Sequence, residues 1–71
     1  MDAAEAKRAF IAKAPIIWKD LLTEKETEYP FITALTCRYI RGEDKPILQI
    51  EVLDDAGCVK ILNPKQTRKK G

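Results

Sequence analysis

The order of apolar and polar positions along the chain predicts one helix followed by short β-strands. The N-terminal segment is rich in alanine and its apolar residues recur at helical spacing, which predicts a helix over residues 3–13. Asp2 caps this helix, because Glu5 follows it at the three-residue spacing of a capping box. Pro15 ends it, since the residue before a proline is driven out of the α region.

Runs of apolar and β-branched residues predict four strands after the helix. They lie at about residues 15–19, 31–41, 47–53 and 58–62. The segment DLLTEKETE at 20–28 stays open between a loop and a helical turn. Its two leucines either extend the first strand or begin a helical turn, and its charged remainder is typical of a solvated loop.

Two short reversals, GEDK and DDAG, join the last three predicted strands. A four-residue loop at DDAG sets Val52 opposite Val59 and Glu51 opposite Lys60, which pairs apolar with apolar and acid with base. A four-residue loop at GEDK likewise sets Leu35 opposite Val52. One face of the sheet is then expected to be the core face. It carries Phe31, Leu35, Cys37, Tyr39, Leu48, Ile50, Val52, Val59 and Ile61.

The second face of this predicted sheet is mixed, with charge in its middle around Arg38, Glu51 and Lys60 and apolar residues at its margins. This pattern favours a meander that bends and curls into a small barrel, and the alternative is a flat sheet whose second face packs against another subunit. We therefore expect an α+β, mostly β fold. An N-terminal helix precedes a four- to five-stranded antiparallel meander that curls into a small, partly open barrel. Residues 1–62 are expected to form a single small domain and residues 63–71 a basic C-terminal tail.

The order helix, short strand, long bent strand and two hairpin strands is similar to that of SH3-like small barrels. The runs APIIWK, ITALTCRYIRG and LQIEVLDDAG also resemble short uncharacterised proteins encoded by bacterial phages and mobile elements. The resemblance covers about residues 14–62. It implies an SH3-like barrel and an accessory role in a mobile element, and no functional residue is carried over from it.

Composition and chemistry argue against catalysis. The 71 residues are 45% apolar and 34% charged, as in a soluble globular domain, and the net charge of +2 indicates no strongly polyanionic partner. The chain has no histidine, and Cys37 and Cys58 lie 21 positions apart, which is not metal-ligand spacing. Neither cysteine has a histidine to activate it, and each is expected to act in packing. We expect no catalytic, cofactor-binding or metal residues and no enzyme activity.

Two surfaces are candidates for binding a partner. The mixed face predicts a protein-binding surface, because apolar residues rimmed by charge tend to mark contact sites; its residues are Arg38, Ile40, Ile47 and Leu53. The basic residues of the strands and tail predict nucleic-acid contacts as the alternative; these residues are Arg41, Lys60, Lys65, Arg68, Lys69 and Lys70.

The chain is therefore expected to be a small non-enzymatic interaction module. Its expected partner is a protein, either a second copy or another chain, with nucleic acid as the alternative. No apolar run reaches the roughly 18–20 residues that span a bilayer, so no membrane partner is expected. The sequence implies no small-molecule ligand, and a cytoplasmic location is expected.

Overall fold

In the computed structural model, which describes residues 1–70, the chain begins with helix α1 (Ala3–Ala12). The predicted capping box is present: the backbone N–H of Glu5 donates to Asp2 Oδ1 at 2.8 Å, and the backbone N–H of Asp2 donates to Glu5 Oε1 at 3.3 Å. Lys13 follows in the left-handed conformation, with φ 52°, and its N–H donates to the carbonyl of Phe10. The backbone groups at the ends of a helix have no partner within it, and these capping hydrogen bonds supply partners at both ends of α1.

Helix α1 packs through two small side chains. Ala6 and Ala9 are buried, whereas Phe10 and Ile11 are exposed. Alanine lets the helix lie close to the strands beneath it, but it buries little apolar surface of its own. The docked position of α1 therefore depends on the sheets that it covers.

Six strands follow within residues 1–70, in two antiparallel sheets of three strands each. They are β1 (Ile16–Lys19), β2 (Glu26–Tyr29), β3 (Ala34–Arg38), β4 (Ile47–Leu53), β5 (Val59–Leu62) and β6 (Thr67–Lys69), with a 3-10 helix at Pro64–Gln66 before β6. We call β2-β1-β6 the terminal sheet and β3-β4-β5 the meander sheet. The sheets do not close on each other, which confirms a mostly β, partly open barrel behind an N-terminal helix.

Two segments predicted to lie outside the sheets are strands of the terminal sheet. Within 20–28, predicted as a loop or a helical turn, the part from Glu26 onward forms β2. Within 63–71, predicted as a basic tail, Thr67–Lys69 forms β6. Both pair with β1, one on each side. The apolar strand β1 lies in the middle of its sheet, and its backbone groups find partners along both edges.

The register between β4 and β5 corrects the prediction. Val52 lies opposite Lys60, and Leu53 lies opposite Val59, so the predicted pairing of Val52 with Val59 is wrong by one residue. The cause is the turn between the strands. Asp54 Oδ1 accepts hydrogen bonds from the backbone N–H groups of Ala56 at 2.9 Å and Cys58 at 2.8 Å, which holds Cys58 in the loop.

The register between β3 and β4 also differs from the prediction, but without moving side chains between faces. Leu35 lies opposite Ile50 rather than Val52. A shift of two residues preserves the face that each side chain occupies, because the side-chain period of a strand is two. Strand β3 is also shorter than the predicted 31–41, since it ends at Arg38.

The core lies between the meander sheet, the terminal sheet and α1. Its buried apolar residues are Ala6, Ala9, Ile16, Tyr29, Ile32, Ile50, Val52 and Leu62. Of the predicted core face, Val59 and Ile61 are exposed because the one-residue change of register turns them outward and brings Leu62 inward. Phe31 and Tyr39 are exposed because they lie outside β3, and Cys37, the next-to-last residue of β3, is exposed as well.

Candidate functional site

We call the face of the meander sheet that points away from the core the outer face; Arg38, Leu53, Val59 and Ile61 are exposed on it, whereas the Thr36 hydroxyl at its centre is buried without a hydrogen-bond partner within residues 1–70. Its residues follow from the register, since Ile50, Val52 and Leu62 on the same strands point inward. The outer face consists of Ala34, Thr36, Arg38, Ile47, Gln49, Glu51, Leu53, Val59 and Ile61.

Exposed apolar side chains form one end and one side of the outer face. Leu53 is 40% exposed, Ile61 is 50% exposed and Val59 is 56% exposed. Leu53 and Val59 are directly opposite each other, and Ile61 lies two residues further along β5. Side chains on one face of neighbouring strands contact each other, so these three form a contiguous apolar patch.

A carboxylate lies beside this patch. Glu51 is opposite Ile61, is half-buried, and accepts a hydrogen bond from Thr33 Oγ1 to its Oε2 at 3.0 Å. The same hydroxyl is 3.0 Å from the backbone carbonyl of Glu51, and the backbone N–H of Thr33 donates to that carbonyl at 2.9 Å. The ion pairs in residues 1–70 do not include Glu51. Its carboxylate is therefore held in place on the outer face and has no cation beside it.

The four residues predicted as a protein-binding surface lie at two ends of this face. Arg38 and Ile47 are directly opposite each other at one end of the meander sheet. Ile40 follows β3 at the same end and is exposed. Leu53 is at the far end of β4, six residues from Ile47 or about 20 Å at the rise of a strand. The structure places three of the predicted residues together, and the fourth in the apolar patch.

Val59 and Ile61 are the members of this surface that the sequence analysis missed. The predicted register assigned both to the core face, because pairing Val52 with Val59 matches apolar residues best. The signal that points to the observed register is Asp54, whose position at the start of the turn suits a side chain that accepts backbone hydrogen bonds. Sequence alone does not decide between the two loop lengths that such a residue allows.

Two of the predicted nucleic-acid contacts form ion pairs within the terminal sheet. Arg68 Nη2 lies 2.6 Å from Glu26 Oε2, and Lys70 Nζ lies 2.8 Å from Glu28 Oε1. Both glutamates are on β2. Arg68 is on β6 and Lys70 directly follows β6, and β1 lies between these two strands. The acidic segment and the basic tail of the sequence thus neutralise each other across one sheet.

The remaining four predicted nucleic-acid contacts are dispersed. Arg41 lies in the β3–β4 turn, Lys60 on β5, Lys65 in the 3-10 helix and Lys69 on β6, and all four are exposed. Because they occupy four different elements, they do not form a row along one strand or one helix.

A cleft of about 540 Å³ lies between the two sheets. Its apolar walls include Trp18 of the terminal sheet and Leu48 and Leu62 of the meander sheet, and three residues of the outer face, Ile47, Gln49 and Ile61, also line it. Asn63, Lys65 and Gln66 border its polar side. Its lining residues include neither a carboxylate nor a thiol.

Other chemistry is sparse in the part of the chain that the structure describes. No group of three or more acidic or cysteine side chains in residues 1–70 is arranged to hold a metal ion. Cys37 and Cys58 are both free and exposed, so the expectation that Cys37 packs in the core is wrong. Among residues 1–70, no helix has the length and apolar character needed to cross a membrane.

Comparison of the chain with models of known protein families, with curated proteins and with solved structures finds no match.

Proposed function

We propose that this chain is a small, non-enzymatic protein-interaction module that binds its partner through the outer face of the meander sheet. The observation that carries the proposal is the exposed apolar patch of Leu53, Val59 and Ile61, which are 40–56% exposed on the outer face. Contiguous apolar surface rimmed by polar residues is typical of protein-binding sites. The charged groups Arg38 and Glu51 on the same face supply specificity.

The scarcity of acid–base groups in the cleft supports the non-enzymatic part of the proposal. An active site needs titratable or nucleophilic groups in a concave site. The cleft beside Trp18 has Lys65 as its only charged side chain among the lining residues. The exposed cysteines lie outside it, and the chain contains no histidine to activate them.

Nucleic-acid binding is less well supported than protein binding. Binding to phosphates gains from clustered, unpaired cations. Arg68 and Lys70 are paired with glutamates, and the other predicted cations lie on separate elements. The outer face, in contrast, is one continuous surface.

Three further expectations stay predictions. The SH3-like character of the barrel is supported by two partly open sheets that share one core behind an N-terminal helix. The role as an accessory protein of a mobile element and the cytoplasmic location rest on the sequence patterns alone.

An unbiased peptide selection tests the proposed function. A random-peptide display library is panned against the full chain, and each selected peptide is titrated into the ¹⁵N-labelled protein. We expect amide shifts to concentrate on β4 and β5 around Glu51, Leu53 and Ile61. Selected peptides that shift amides of Trp18, Gln66 or α1, and none at Glu51, Leu53 or Val59, would show that the binding surface lies elsewhere.

A pair of variants provides the control for this selection. Val59→Asp places a charge in the apolar patch and is expected to abolish peptide binding, because a desolvated charge without a partner opposes association. Leu22→Asp changes a leucine that is 95% exposed in the β1–β2 loop, away from the patch, and should leave binding unchanged. Equal loss of binding in both variants would contradict the assignment of the site.

A further inference from the structure

The charges of the outer face are arranged with opposite sign on either side of its centre. Thr36 and Gln49 are directly opposite each other and form the central row. Arg38 lies two residues from the centre in one direction, in a row with Ile47. Glu51 lies two residues from the centre in the other direction. Neither Arg38 nor Glu51 belongs to an ion pair within residues 1–70.

From this arrangement we propose that the outer face binds the outer face of a second copy of the chain, in a two-fold dimer in which Arg38 of each copy pairs with Glu51 of the other. This inference rests on the proposed function and names the partner of the same site. A two-fold interface requires a self-complementary surface. An outer face whose charges reverse sign about its centre meets that requirement.

The distances of sheet packing are compatible with this pairing. A two-fold axis over the central row, perpendicular to the strands, places the row of Arg38 over the row of Glu51 in the other copy. Packed sheets lie about 10 Å apart, and Arg38 and Glu51 are on neighbouring strands about 4.8 Å apart. The side chains of arginine and glutamate together span that gap, and the symmetry forms the ion pair twice.

The same axis determines what covers the apolar end of the outer face. Leu53 and Val59 lie two residues beyond the row of Glu51. Because the axis places β4 over β4 and β5 over β5 of the other copy, Leu53 lies over the turn that precedes Ile47, and Val59 lies beyond the end of β5. Each copy thus covers Leu53 of the other, and two equivalent contacts of this kind form per dimer.

The size of the face sets the expected strength of the dimer. Strands β3, β4 and β5 have five, seven and four residues, which gives a face roughly 14 Å wide and about 14–24 Å long. Two such faces bury on the order of 500–800 Å² in total, below the size of most specific interfaces. We therefore expect a concentration-dependent dimer with a dissociation constant on the order of 100 µM.

Analytical ultracentrifugation of the full chain with two charge variants tests this inference. Between about 10 µM and 1 mM the wild-type chain is expected to shift from monomer to dimer. Arg38→Glu and Glu51→Arg are each expected to weaken self-association about tenfold, because like charges then face each other. An equimolar mixture of the two variants restores the dimer, since each new charge meets its opposite in the other copy.

Only a contact between the two copies explains this rescue. Within one copy Arg38 and Glu51 lie four residues apart along the sheet, about 14 Å, and do not contact each other. Restored association in the mixture therefore reports contact between copies. A wild-type chain that stays monomeric at the highest concentration, or a mixture that stays monomeric while the wild type dimerises, would overturn the proposed dimer.

A spin label on a native cysteine keeps the test decisive if Glu51→Arg fails to fold. A nitroxide is attached to Cys58 in a Cys37→Ser chain and mixed with ¹⁵N-labelled chain lacking both cysteines. Cys58 adjoins Val59, at the end of the sheet that lies over the start of β4 in the other copy, so the amide signals around Lys45 and Ile47 of the labelled copy are expected to broaden. Broadening elsewhere or none at all contradicts the proposed packing.

The self-association test and the peptide selection fail independently. A monomeric wild type with peptides that still map to the outer face overturns the dimer alone, and the surface then binds a different protein. Peptides that map elsewhere, together with a monomeric wild type, overturn both the dimer and the proposed function.

Discussion

At the residue scale, short polar side chains that accept backbone hydrogen bonds define where elements begin and turn. Asp2 does so at the start of α1, and Asn63 does so at the 3-10 helix, where its Oδ1 accepts from Lys65 at 2.9 Å. Asp20 accepts from the backbone of Leu22 in the β1–β2 loop at 2.8 Å. The cap at Asp2 is predictable because Glu5 completes a recognisable motif. The others rest on single residues that suit several turns equally well.

Removing the cap of α1 is expected to destabilise the protein measurably. Asp2→Ala removes the acceptor for the Glu5 backbone N–H, and the free energy of unfolding is expected to fall by about 1 kcal/mol. Urea denaturation at low protein concentration measures the change. Asp2→Ser retains an oxygen acceptor and should remain close to the wild type. A loss of the same size in both variants would show that the side-chain cap is not the source of the stability.

At the scale of elements, local patterns predict strands better than they predict strand partners. The predicted strand 47–53 agrees with β4, since alternation along one segment is a local property. The register between β4 and β5 is wrong by one residue because apolar residues occur on both faces of β5. Matching Val52 with Val59 favours one register, whereas the turn at Asp54 and the burial of Leu62 favour the other.

The turn at Asp54 is expected to contribute most of the stability of its hairpin. Asp54→Ala removes the acceptor for two backbone N–H groups, and the free energy of unfolding is expected to fall by roughly 1–3 kcal/mol. Asp55→Ala, at an exposed neighbour, provides the matched control and should change stability by less than about 0.5 kcal/mol. Chemical denaturation of both variants compares them. Equal effects would mean that the carboxylate of Asp54 does not hold the turn.

At the scale of the whole molecule, the first and the last strand of residues 1–70 lie side by side in one sheet. Strand β6 pairs with β1, Thr67 of β6 is buried, and the Met1 ammonium group donates to the carbonyls of Pro64 at 2.7 Å and Thr67 at 3.0 Å. A chain of this length has a free energy of unfolding of only a few kcal/mol. The last strand is therefore expected to be necessary for a folded domain.

Truncation after Asn63 tests this expectation. The shortened chain loses one of the two neighbours of β1, and we expect it to lose its cooperative unfolding transition and the dispersion of its amide NMR spectrum. The double variant Arg68→Gln and Lys70→Gln keeps the strand but removes both exposed ion pairs, and each removal should cost less than about 1 kcal/mol. A truncated chain that still unfolds in one sharp transition would show that β6 is dispensable.

The sequence by itself determined the capped helix, the position of β4 and the mostly β class of the fold. Each of these follows from residues close together in the chain, where hydrogen bonds and periodicity are local. Only the tertiary structure decided that the basic tail is a strand paired with β1, that the acids of β2 neutralise it, and that Val59 and Ile61 face outward. These outcomes depend on which distant strands meet and in which register. A shift of one residue exchanges the two faces of a strand, so a chain with apolar residues on both faces leaves that choice to the packing of the whole molecule.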